Sequence, residues 1–84
     1  MGDIIKTVQS LRERMAEKKD LLYLMVINGQ REWKSIYQAG VAYDSGWVRV
    51  EIGGYVIEGG KERPITTEER ALIAEIADEH SANK

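Results

Sequence analysis

The sequence predicts an α+β domain: an N-terminal helix, a four-stranded antiparallel β-meander and a C-terminal helix, with both helices packed on one sheet face. Three observations carry that expectation. Apolar residues recur at helical spacing toward each end of the chain, stretches in the middle alternate apolar with polar residues, and Asn28-Gly29 and Gly53-Gly54 fall where hairpin tips are needed. Eighty-four residues leave room for one domain, taken as 1–84.

In the first element, Ile4, Ile5, Val8, Leu11 and Met15 form one apolar stripe, with Asp3 placed to cap it. The run Leu21 to Ile27 ends at Asn28-Gly29, the dipeptide that best tolerates the positive φ angles of a type I′ turn. The resulting hairpin pairs Ile27 with Gln30, Met25 with Glu32, Leu24 with Trp33 and Tyr23 with Lys34. Residues 31–43 fit two periods. Trp33, Ser35, Tyr37, Ala39, Val41 and Tyr43 alternate as in a strand, while Trp33, Ile36 and Tyr37 before Gly40 also suit a short helix. The strand is preferred because the Asn-Gly turn needs a returning partner, and a bulge at Ala39–Gly40 reconciles its faces. Asp44-Ser45-Gly46 is expected to turn the chain into Trp47–Ile52, which pairs across Gly53-Gly54 with Tyr55–Glu58 and sets Arg49 opposite Glu58. After the loop 59–64, Thr66 and Glu69 form a capping box, and Leu72, Ile73, Ile76 and Ala77 make the stripe of the last helix. The helices are expected to cover the face holding Leu22, Leu24, Val26, Trp33, Val48, Val50, Ile52, Tyr55 and Ile57.

Composition excludes several functions. With no cysteine, thiol nucleophiles, disulfides and thiolate metal centres are absent, and no cofactor or metal is expected. A formal charge of −2, with segment charges of +1 for 1–20, −1 for 21–60 and −2 for 61–84, argues against phosphate-driven binding of nucleic acid. The longest apolar run is far too short to cross a bilayer, and the opening residues lack the apolar core of a signal peptide, so the cytoplasm is the expected compartment. His80, the only histidine, lies near Asp78 and Glu79 at the end of the last helix, where a solvated, dipole-stabilised imidazolium is a sufficient explanation. No catalytic residue is expected.

Two binding surfaces follow from the expected strands. The uncovered sheet face would hold Tyr23, Met25, Ile27 and Ile36 among Lys34, Arg49 and Glu51, an apolar patch with a charged rim suited to another protein or a second copy. The six Trp and Tyr residues, with no Phe, fit such a surface. Separately, Lys61 and Arg63 after two glycines, beside the backbone at Thr66, resemble a site for an anionic metabolite or nucleotide, opposed by Glu62, Glu68 and Glu69.

The tail from Trp47 to Glu79, strands followed by Pro-Ile-Thr-Thr-Glu-Glu-Arg and an amphipathic helix, is loosely similar to small immunity proteins of bacterial toxin systems. That similarity covers about two fifths of the chain, implies a non-enzymatic inhibitor, and assigns no site residue. Small size, acidity and an open sheet face make the expected function a small acidic protein-binding module, a homodimer through its sheet, with small-ligand sequestration as the alternative and a toxin-immunity-like protein as a further one.

Overall fold

A computed structural model describes residues 11–45 and 48–82. The fold is α+β, with three helices and a four-stranded antiparallel sheet. Helix α1 holds residues 11–17, followed by β1 (Leu22–Ile27), β2 (Gln30–Lys34), α2 (Ile36–Tyr43), β3 (Val50–Glu58), β4 (Lys61–Pro64) and α3 (Thr67–Ala82). The strand order is β2-β1-β3-β4, so the chain leaves the sheet edge at β2, passes through α2 and returns on the far side of β1. The expected cap Asp3, Ile4, Ile5 and Val8 of the first stripe, Gly46 of the expected turn and Trp47 of the strand expected after it lie outside the described residues.

The first hairpin forms as the sequence predicts. Asn28 and Gly29 have φ of 53° and 84°, as a type I′ turn requires, and the register pairs Ile27 with Gln30, Met25 with Glu32, Leu24 with Trp33 and Tyr23 with Lys34.

The next segment is a helix rather than a continuing strand. Ser35 ends β2 by capping α2: its Oγ accepts from Gln38 N–H at 3.3 Å, while its own N–H donates to Gln38 Oε1 at 3.4 Å. The expected bulge at Ala39–Gly40 is thereby replaced by helical contact. A Cβ on Gly40 would lie 2.5 Å from Cβ of Ile76, so this glycine lets α2 approach α3 closely.

Gly53-Gly54 is not a hairpin tip. Both residues lie inside the nine-residue β3, where Tyr23 pairs with Val56 but Met25 pairs with Ile52, placing two extra residues opposite Leu24. A side chain at Gly53 would strike Leu24, and Gly54 has a φ of 89°. The hairpin tip is instead Gly59-Gly60, with φ of 60° and 80°, and the expected loop 59–64 contains β4. The meander is thus corrected to a sheet with β1 and β3 at its centre, closed at one edge by a short charged strand ending in Pro64.

This bulge decides which faces are covered. Two extra residues preserve alternation, so Val50, Ile52 and Val56 share a face, while Tyr55 and Ile57 take the opposite one. Tyr23, Met25 and Val56 are fully buried on the helix-covered face with Ile36, Ala39, Leu72, Ile73 and Ile76, and Leu11, Met15, Ile27, Val50, Ile52 and Ile65 pack around them. Leu22, Leu24, Val26, Trp33, Tyr55 and Ile57, expected under the helices, lie on the reverse face. Apolar residues on both faces of β1 left the sequence unable to choose between them.

Candidate functional site

The most polar feature of the interior is Glu69. It occupies the apolar stripe of α3, three residues before Leu72 and seven before Ile76, and is fully buried. The capping box accounts for part of its placement: Glu69 Oε1 accepts from Thr66 N–H at 3.0 Å, and Thr66 Oγ1 accepts from Glu69 N–H at 3.1 Å. Arg63 supplies more. Paired with Val56, it projects from β4 toward the helices and grips Glu69 with two hydrogen bonds of 2.8 Å, Nη1 to Oε1 and Nη2 to Oε2. The Tyr23 hydroxyl donates to Oε2 at 3.0 Å, and Lys18 Nζ lies 3.4 Å from the same oxygen. A further bond from Arg63 Nε to Glu58 Oε1, at 2.7 Å, occupies the third guanidinium nitrogen. Glu58 therefore pairs with Arg63 rather than with Arg49, whose ion pair at 3.2 Å is with Glu51.

Burial pushes the Glu69 carboxyl up, but hydrogen bonds from Arg63, the Thr66 N–H and Tyr23 outweigh it and hold the carboxyl well below its usual range. Burial and then the neighbouring Glu69 charge push the Tyr23 hydroxyl above its ordinary value. Bonds to Glu69, then to Glu58, bind the Arg63 proton more firmly. This is a buried ion pair with its polar atoms satisfied, and no buried side-chain nitrogen or oxygen among the described residues lacks a partner.

That geometry relocates the residues singled out for an anion. Arg63 and Thr66 already hold an anion, the chain's own Glu69 carboxylate, at the helix start where a ligand was expected. Lys61 is exposed at the start of β4 and has no ion pair among the described residues. Arg63, expected to receive an anionic ligand, instead ties β4 to α3.

The residues assigned to a partner surface also separate. Tyr23 and Met25 are 0% exposed and Ile36 is buried, so they belong to the core; Ile27 is half-buried beside them. Lys34 pairs with Glu32 at 3.2 Å, and Arg49 and Glu51 are exposed on β3 and the residue before it. The open surface is the reverse face: Leu22 and Tyr55 are 41% and 47% exposed, with Val26, Trp33 and Ile57 half-buried around a buried Leu24. Its corners are charged. Arg31 lies opposite Val26 at one corner, and Glu62 lies opposite Ile57 at the diagonal corner, neither with a partner among the described residues.

A third feature joins two helix ends. His80 Nδ1 lies 2.8 Å from Oδ2 of Asp44, the C-cap of α2. No group of three His, Asp or Glu side chains among the described residues is placed to hold a metal ion, and no described helix is long and apolar enough to cross a membrane. Sequence reasoning missed the Glu69 cluster although a signal was present, a carboxylate on the buried stripe of α3 with an arginine six residues earlier. Neither the family models, the curated proteins nor the solved structures include a match to this chain.

Proposed function

We propose that this protein is a non-enzymatic interaction module that pairs with a second copy of itself through the open sheet face. The observation supporting this reading is that the helices cover one side of the sheet while the other presents Leu22, Val26, Trp33, Tyr55 and Ile57 together. An aromatic and aliphatic block of this kind, bordered by Arg31, Glu62 and the Arg49–Glu51 ion pair beside Val26, is characteristic of protein contact surfaces. The corner charges favour a like partner. Because Arg31 and Glu62 sit at diagonally opposite corners, a two-fold axis along the other diagonal sets each Arg31 over Glu62 of the partner subunit. The two sheets then cross steeply, one of the preferred ways for sheets to stack.

Sedimentation of the wild type and of Leu22→Glu with Tyr55→Glu tests the proposal. The wild type is expected to sediment as a dimer at tens of micromolar and the variant as a folded monomer. A monomeric wild type that captures a different protein through this same face would favour an inhibitor of another protein, the role the similarity to immunity proteins implies.

A further inference from the structure

We propose that the cavity between α1, α2 and α3 binds a small organic acid with an apolar body, whose carboxylate is received by His80. Its walls are Leu11 and Met15 from α1, Tyr37 from α2 and Ile76 from α3, and its volume is about 320 Å³. That is room for one small molecule, at the lower end of the roughly 300–1,000 Å³ common in such sites. Leu11, Met15, Ile76 and the Tyr37 ring supply the apolar part of the lining, and Arg12, Glu79, the Tyr37 hydroxyl and the His80 ring supply the polar groups.

The imidazole is fixed from behind. A carboxylate only accepts hydrogen bonds, so the 2.8 Å contact with Asp44 places the proton on Nδ1 and leaves Nε2, across the ring, as its second polar atom. The Asp44 side chain is only 11% exposed, whereas His80, 32% exposed, lines the cavity. Nε2 has no partner among the described residues. A ligand carboxylate arrives ionised, so the second ring proton comes from solvent: the Nε2–H then donates to the bound carboxylate while Asp44 balances the ring's charge from the Nδ1 side, and no other bond is made or broken.

The charged groups around the ring limit the ligand's charge. Arg12 from α1 has no ion pair among the described residues and supplies a second cation, whereas Asp44 from α2 and Glu79 from α3 oppose additional negative charge. One carboxylate is thus favoured over a phosphate dianion. The apolar remainder of the ligand lies against Leu11, Met15, Tyr37 and Ile76.

His80 is the only histidine, so its ring resonances report on the site without assignment by mutation. Octanoate titrated into the wild-type protein is expected to shift the Nε2 signal saturably, while 1-octanol and octylammonium at equal concentration leave it nearly unmoved. His80→Gln is expected to weaken octanoate binding by about tenfold or more, because a charge-assisted hydrogen bond is lost, and Glu79→Gln to tighten it about two- to threefold. Leu22→Glu, on the far side of the sheet, should bind octanoate as the wild type does, which separates this proposal from the one about the sheet face. The proposal is overturned if millimolar octanoate leaves the wild-type ring signal in place, or if octylammonium moves it as strongly. If His80→Gln fails to fold, the wild-type ring signal alone decides.

Discussion

Glu69 is a charge on the buried stripe of a helix, and it is tolerated there because donors surround both oxygens: Arg63 on each, the Thr66 N–H on one, and Tyr23 on the other. Removing one partner leaves charge buried without compensation. Arg63→Ala is expected to destabilise the fold by about 3–5 kcal/mol, measured by urea unfolding, whereas Lys61→Ala, at the exposed start of β4, should change it by less than about 0.5 kcal/mol. Tyr23→Phe removes one hydrogen bond to a charged group and should cost about 1.5–3 kcal/mol. The pH dependence has a definite sign. The folded-state Glu69 pKa lies below its unfolded value, so its contribution is complete above the ordinary carboxylate range and is lost as pH falls from about 4.5 through the folded value. Unfolding followed between pH 6 and pH 2 should therefore show steep acid destabilisation in the wild type and a shallower slope in Glu69→Gln. Equal slopes would mean that Glu69 does not carry the linkage.

At the scale of elements, local chemistry overrode periodicity in two places. The alternation of Trp33, Ser35, Tyr37 and Ala39 imitates a strand, but Ser35 and Gln38 form a reciprocal cap that starts α2, a signal as legible in the sequence as the Thr66–Glu69 box. Gly53-Gly54 has a turn's composition, yet its glycines serve a bulge opposite Leu24, and only the pairing of β1 with β3 distinguishes the two uses. Asn28-Gly29 was unambiguous because its flanking residues fit a single register. Gly40 offers the sharpest test of the new helix. Gly40→Ala inserts a methyl group into the α2–α3 contact and should cost about 1–3 kcal/mol, and Ile76→Ala introduced beside it should restore part of that loss. In a strand with a bulge at this position the two substitutions would be independent in thermal unfolding, because Ile76 would not be the residue in the way.

For the molecule as a whole, the class of fold, the first hairpin and the C-terminal helix were legible; two expected strands are the single strand β3, the fourth strand lies in an expected loop, and the direction in which the sheet faces was not legible. Leu22, Tyr23, Leu24, Met25, Val26 and Ile27 offer apolar side chains to both sides of β1, so the choice of face rests on where α2 and α3 pack. That choice reverses the expected surface: Met25→Lys, which would leave a folded monomer if Met25 were exposed, should instead unfold the chain, since Met25 is 0% exposed. It also leaves Arg31 and Glu62 at opposite corners of the face proposed to self-associate. Sedimentation equilibrium of the two charge reversals tests that arrangement most directly. Arg31→Glu and Glu62→Arg should each lower the dimer fraction severalfold, and the double variant should recover dimer toward the wild-type level because each new pair is complementary again. A wild type that sediments as a monomer, or a double variant no more associated than either single one, would contradict pairing through this face.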